Sequence, residues 1–126
     1  MSFDVFFQGF DDGDDGSGGD DLMRQILEPH IVRKDPAHDF AYVEYGDGDA
    51  EVYIGDGRMM ATHVSGTDPW HLLVEGARAA GWVILPVGCA TCLTDEAQRP
   101  HLPDELRADA VLVATGEDLL SVIRSS

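Results

Sequence analysis

Hydrophobic and polar residues alternate near the N-terminus and again in the middle of the chain. The segment SFDVFFQ places Phe3, Val5 and Phe7 on one face, which predicts a strand. Further along, FAYVEY, AEVYI and MMATHV are short β-rich segments separated by Asp-Gly turns, an arrangement typical of hairpins. We therefore expect a three-stranded antiparallel meander after the first strand and helix.

Three other segments have helical periodicity. Leu22, Met23, Ile26 and Leu27 form the apolar stripe of a short helix that Pro29 ends. The segment TDPWHLLVEGARAAG predicts the longest helix, and TGEDLLSVI predicts a helix near the C-terminus.

Capping residues set the expected ends of the last two helices. Asp68 is the expected N-cap of the long helix, with Pro69 in its first turn and Gly81 just beyond its last residue. Thr115 is the expected N-cap of the C-terminal helix.

Two apolar segments show no alternation. WVILPV and DAVLVAT both predict strands that are covered on both faces. The expected order is β-α-β-β-β-α-β-loop-β-α. This order indicates an α+β protein, a mixed α/β sandwich with helices mainly on one face of the sheet. We expect a ferredoxin-like β-α-β-β-α-β core with extra strands and a C-terminal helix.

The length and composition fit one domain over residues 1–126. The chain has 126 residues, of which 44% are hydrophobic, enough for one core. The segment GFDDGDDGSGGDD is rich in Gly and Asp, which predicts a flexible acidic loop at about residues 9–21.

The net charge of −16 is the strongest global property of the sequence. It argues against nucleic-acid phosphates and anionic membranes as partners, because both attract Lys and Arg. Self-repulsion that keeps the protein soluble is one interpretation, and attraction of a basic protein or a cation is the other. For a basic partner, the expected contacts are Asp11, Asp12, Asp14 and Asp15.

The segment PVGCATCLT contains the only two cysteines, Cys89 and Cys92. Their C-x2-C spacing permits a redox pair, part of a zinc site with His101 as a third ligand, or simple packing at the end of a strand. Zinc is the one cofactor that the sequence suggests. Two cysteines form no disulfide framework and no leader segment is recognisable, so we expect a cytoplasmic protein.

Several stretches resemble a group of small bacterial proteins of no assigned function. They are MSFDVFFQ, AEVYIGDGRMMATHVSG, WVILPVGCATCLTDEAQRPHLPDELRAD and TGEDLLSVI. In that group, MSFDVFxQ opens the chain and an LPVGCxTC segment lies near its end. The resemblance implies no activity. A looser similarity, in size and acidity, is to immunity proteins of bacterial toxin systems.

No complete catalytic motif is present, so the sequence favours a non-enzymatic interaction module over an enzyme, and an immunity-like role is one form that such a module takes. Carboxylate-rich loops and a sheet edge are the surfaces expected to meet a basic partner. A zinc-binding or thiol-redox protein centred on Cys89 and Cys92 is the alternative.

Overall fold

The computed structural model describes residues 3–125. Within this range the chain forms ten strands: β1 (Val5–Gln8), β2 (Phe10–Asp11), β3 (Asp14–Asp15), β4 (Ile31–Asp35), β5 (Phe40–Tyr45), β6 (Gly48–Gly55), β7 (Arg58–Thr62), β8 (Val83–Pro86), β9 (Cys92–Leu93) and β10 (Val111–Leu112). The α-helices there are α1 (Asp20–Leu27), α2 (Asp68–Ala80), α3 (Asp104–Arg107) and α4 (Gly116–Arg124). Short 3₁₀ turns occupy Glu28–His30, Pro36–His38 and Glu96–His101.

Eight of these strands form one sheet in the order β10-β9-β8-β1-β7-β6-β5-β4, and β2 and β3 form a separate hairpin. Every pair in the large sheet is antiparallel except β9 with β10. Strand β1 lies inside the sheet, where Val5 pairs with both Ala61 and Pro86. The predicted α+β class and the meander β5-β6-β7 are confirmed.

One face of the sheet carries the main core. Alternate strand residues such as Val5, Phe7 and Val52 are fully buried there, against Leu73 and Leu119 of α2 and α4. The α1 and α4 helices both pack on α2, so these three helices form one layer. Buried residues recur every second position on the strands and about every 3.6 positions on the helices. The hydrophobic residues of the sequence follow the same two periods.

A second, smaller core lies on the other face, at the β8–β9 end of the sheet. Val83 and Leu93 alternate with Ile84 and Cys92 of the main core, so they point to the opposite side. They pack with Leu102, Ala110 and partly buried hydrophobic residues. Residues 94–110 therefore cover this end of the face.

The start of α2 differs from the prediction. Thr67 holds the N-cap position with no capping bond from its own side chain, and Asp68 is already helical. The exposed amides of Thr67 and Asp68 instead donate to the carboxylate of Asp47, in the turn between β5 and β6. Asp68 in turn accepts a hydrogen bond from the Asp47 amide. The capping group is thus the carboxylate of a distant turn, and the residues next to the start of α2 do not reveal it.

The prediction for DAVLVAT is wrong in extent and in burial. Only Val111 and Leu112 form a strand there, and they are 37% and 52% exposed because β10 is an edge strand. Val113, just beyond it, is buried. Strand β4, at the opposite edge, has no predicted counterpart, because four of its five residues are exposed and three of these are charged.

Among the described residues, no helix has the length and apolar character needed to cross a membrane.

Candidate functional site

The two cysteines lie at the exit from β8 and differ in exposure. Cys89 is partly exposed in the turn after Pro86, and its amide donates to the Pro86 carbonyl. Cys92 is fully buried in β9, paired with Ile84. Both thiols are free. Neither cysteine begins a helix, and the nearest 3₁₀ turn starts at Glu96.

The surroundings of Cys92 suppress thiolate formation. Burial raises the pKa of its thiol to about 12, with a smaller contribution from the neighbouring Cys89. A redox or metal-binding thiol needs the opposite shift, which a helix N-terminus or a nearby cation supplies. Cys92 therefore packs as a small apolar residue of the main core.

His101 lies beside the acidic hairpin rather than with the cysteines. Asp11, Asp12 and His101 are the one group of three potential metal ligands found within residues 3–125, with ligand atoms inside 4.8 Å of one another. The Nδ1 atom of His101 is 3.7 Å from the Asp11 carboxylate and 3.6 Å from that of Asp12. The structure thus joins residues that the sequence analysis had assigned to two different sites.

This cluster is better described as an anchor for the hairpin. Nδ1 of His101 accepts a hydrogen bond from the Asp12 amide at 3.2 Å, so its lone pair is already engaged on the side that faces the carboxylates. The His101 carbonyl accepts a second bond, from the Gly13 amide at 2.8 Å. Left-handed backbone at Asp12 and Gly13 gives the tight turn between β2 and β3.

The segment predicted as a flexible loop therefore contains the β2–β3 hairpin, held at several points. The Gly16 amide donates to the Gly9 carbonyl, and Gln8 donates from its side-chain amide to Asp15. Phe10 packs against the smaller core. The four aspartates predicted to bind a partner are all exposed on this hairpin: Asp11, Asp12, Asp14 and Asp15.

A second surface feature is a row of apolar side chains on the sheet face opposite the helices, here called the open-face row. Its members are direct neighbours across five strands, from β5 through β6, β7 and β1 to β8. They are Phe40, Tyr53, Met60, Phe6 and Leu85. Phe6 and Tyr53 are 42% and 38% exposed. The rings of Phe40 and Tyr53 contact each other with centroids 5.2 Å apart.

Carboxylates follow one side of the open-face row. Asp4 and Glu51 lie on the same face, two residues along the chain from Phe6 and Tyr53. Glu44 and Asp49 lie farther out on that face, four residues along their strands from Phe40 and Tyr53. The Tyr42 hydroxyl donates to Asp49 at 2.6 Å, which lowers the pKa of the Asp49 carboxyl and raises that of Tyr42 to about 12. The Asp49 carboxylate therefore stays ionised at neutral pH, and the protonated Tyr42 hydroxyl stays its donor.

The open-face row was not predicted, although the sequence contains a local indication of it. In VFF, VYI and MMA, a hydrophobic residue occupies the position that strict alternation would make polar: Phe6, Tyr53 and Met60. Because those positions pair across neighbouring strands, three local exceptions to the pattern become one continuous row.

Comparisons with protein-family models, curated proteins and solved structures find no match to this chain.

Proposed function

We propose that this chain is a non-enzymatic interaction module that binds a basic protein partner. The observation that carries the proposal is the anchored β2–β3 hairpin, which presents four exposed aspartates on an ordered support. An ordered acidic surface loses less conformational entropy on binding than a mobile one, and its charge speeds association with a cationic protein.

The contacts of the chain's own Lys and Arg side chains support the same proposal. There are 8 Lys and Arg residues against 24 Asp and Glu residues. Most of the cations already bind the chain's own carboxylates or carbonyls: Arg24, Lys34, Arg78, Arg99 and Arg107. The hairpin aspartates accept bonds only from Gln8 among described side chains, apart from the His101 contacts. The charge of the hairpin aspartates is therefore free to meet a partner.

The test is affinity capture from a native lysate at low and at high salt. We expect basic proteins to be captured at low salt and released at high salt by screening. The variant carrying Asp11→Asn, Asp12→Asn, Asp14→Asn and Asp15→Asn should lose this capture.

A charge-matched control carries Asp21→Asn, Glu75→Gln, Asp109→Asn and Glu117→Gln, all at exposed positions outside the hairpin. It should still capture the partner, and the purified partner should bind in a reconstituted assay. Equal loss of capture in both variants would show that net charge alone, and not the hairpin, causes the binding. Capture of no salt-sensitive protein by the unaltered chain would contradict the proposal.

We also infer a ferredoxin-like core for this module. The support is the sheet order β8-β1-β7-β6, with α1 between β1 and β6 along the chain and α2 between β7 and β8. Strands β4 and β5 then extend one edge. A cytoplasmic location belongs to the same proposal, supported by the two free thiols. A toxin-immunity role is its most specific form, which the identity of the captured protein tests.

Zinc binding or thiol-redox chemistry at Cys89 and Cys92 is the alternative function, which the burial of Cys92 disfavours. Elemental analysis of protein purified without chelator tests it directly, and stoichiometric zinc would support it.

A further inference from the structure

The open-face row is exposed because the covering segments stop short of it. Residues 94–110 and Phe10 cover the smaller core at Val83 and Leu93. Beyond that point, the strands β1, β7 and β6, together with His38 and Asp39, border a shallow groove of about 620 Å³ that Phe6, Tyr53 and Met60 also line. Contiguous exposed apolar surface of this kind is typical of protein contact sites.

Charge on both sides of the row indicates what occupies it. Four carboxylates follow one side, and the acidic hairpin reaches the other side through the bond from Gln8 to Asp15. Two arginines share the face: Arg58 pairs with Gln8, and Arg33 lies over the rings of Phe40 and Tyr42, 5.6 Å from each centroid. Asp39 and Asp56 border the groove on that second side together with Arg58 and His38, and His63 contacts Glu51 on the first side. Acidic side chains therefore outnumber Lys and Arg on both sides of the open-face row.

We propose that the open-face row is the docking surface for a basic partner segment that carries apolar side chains, a proposal that rests on the function given above. Its apolar side chains cover Phe6, Tyr53 and Met60, while its Lys or Arg residues meet the flanking carboxylates. Four interstrand spacings make the row about 19 Å long. An extended segment of about six residues, or a helix of about thirteen, matches that length.

A second copy of this chain fits the surface less well. Two open faces placed together would bring carboxylates against carboxylates, and each chain carries a net charge of −16. Like charges across an interface oppose association. The partner must therefore be of opposite charge.

Three short synthetic peptides test the proposal: alternating Lys and Leu, alternating Glu and Leu, and lysine alone. Amide chemical shifts locate each peptide on the protein, and titration gives its Kd at low and high salt. We expect the Lys-Leu peptide to perturb residues of β1, β6 and β7 around the row and to bind more weakly at high salt. The lysine peptide should perturb the hairpin without the row, and the Glu-Leu peptide should not bind.

Two pairs of variants distinguish binding at the open-face row from nonspecific electrostatic or hydrophobic binding. The double substitution Phe6→Ser and Tyr53→Ser should weaken Lys-Leu binding at least about tenfold, since it removes two aromatic anchors. Leu22→Ser, at a 45% exposed position on α1, should leave it unchanged. Glu51→Gln should weaken binding more than Glu75→Gln on α2. Circular dichroism of each variant confirms folding before binding is compared.

The outcomes distinguish this proposal from the one on which it rests. Salt-sensitive binding of both cationic peptides at the hairpin alone, unaffected by the Phe6 and Tyr53 substitutions, would overturn the docking surface and leave the basic-partner proposal standing. No salt-sensitive binding of any peptide would count against both. Binding of the Glu-Leu peptide as tight as that of the Lys-Leu peptide would contradict the claim that the flanking carboxylates select a basic partner. A dimer in sedimentation that the Phe6 and Tyr53 substitutions abolish would identify a second copy as the occupant.

Discussion

At the scale of single residues, Cys89 and Cys92 show how position along a strand separates two identical side chains. Cys89 lies in an exposed turn, whereas Cys92 lies in β9 beneath the helix layer. Their spacing of two intervening residues carries no information on this difference. Which thiol faces the core follows from the pairing of Cys92 with Ile84, a tertiary contact.

We expect iodoacetamide to modify Cys89 rapidly and Cys92 only after unfolding. The reagent attacks the thiolate, and burial both blocks access to Cys92 and raises the pKa of its thiol to about 12. Mass spectrometry of protein treated under native and denaturing conditions measures this, with Cys89→Ser as the control that isolates Cys92. Rapid native modification of Cys92 in that variant would contradict its assignment to the core.

The same pKa shift links Cys92 to alkaline stability. An unfolded thiol ionises at about pH 8.5. The native thiol resists ionisation up to about pH 12, so the stability from its burial is complete below the unfolded pKa. It is lost as the pH rises from there towards the native pKa.

At the scale of elements, Gly116 permits the close approach of α4 to α2. A Cβ atom at this position would lie 2.4 Å from the backbone nitrogen of His71 and 2.6 Å from the carbonyl carbon of Trp70. The Gly116 amide also donates to Nδ1 of His71 at 3.0 Å. The backbone of the two helices is therefore in direct contact at this point.

Gly116→Ala should lower the free energy of unfolding by about 1–3 kcal/mol, because the added methyl group overpacks two backbone segments. Denaturant unfolding measures the change. Gly55→Ala is the control, since a Cβ at Gly55 meets nothing within 4 Å. Equal stability of the two variants would show that α4 shifts without cost.

Asp47 makes the start of α2 depend on pH. Hydrogen bonds from the Asp68 and Thr67 amides lower the pKa of the Asp47 carboxyl. A carboxyl group whose pKa is depressed in the native state adds stability above its unfolded pKa, which is about 3.9 for Asp. That stability disappears as the pH falls through the native pKa. The turn between β5 and β6 thus stabilises α2 chiefly when Asp47 is ionised.

Asp47→Ala should lower the Tm by a few degrees at neutral pH, and the difference from the unaltered protein should shrink below about pH 4. Thermal unfolding followed by circular dichroism across this pH range measures both effects. Asp56→Ala, in the exposed turn between β6 and β7, is the matched control. A difference that persists unchanged in acid would assign the effect to packing instead of the carboxylate.

At the scale of the whole molecule, the elements with one buried face were predictable. Strand β1, the meander and the helices α1, α2 and α4 each carry their burial pattern in their own residues. The edges were not predictable, because β4 exposes most of its side chains and β10 is only two residues long. Strand order depends on contacts between distant segments, which no local periodicity encodes.

The candidate site follows the same rule. Exposure of the hairpin aspartates was predictable from composition, but the contact between Asp12 and His101 joins segments 89 residues apart. Likewise, Phe6, Tyr53 and Met60 become one surface only through strand pairing. Sequence patterns identified the side chains involved, and the fold determined their grouping.

The position of β1 also governs the order in which the protein forms during synthesis. Val5 leaves the ribosome well before its two partners, Ala61 and Pro86. Until Pro86 emerges, the meander lacks its connection to β8, and Phe6 and Phe7 remain without their full set of neighbours. Such long sequence separations slow folding and prolong the exposure of adhesive segments. The net charge of −16 opposes aggregation during the interval in which the central strand lacks its neighbours.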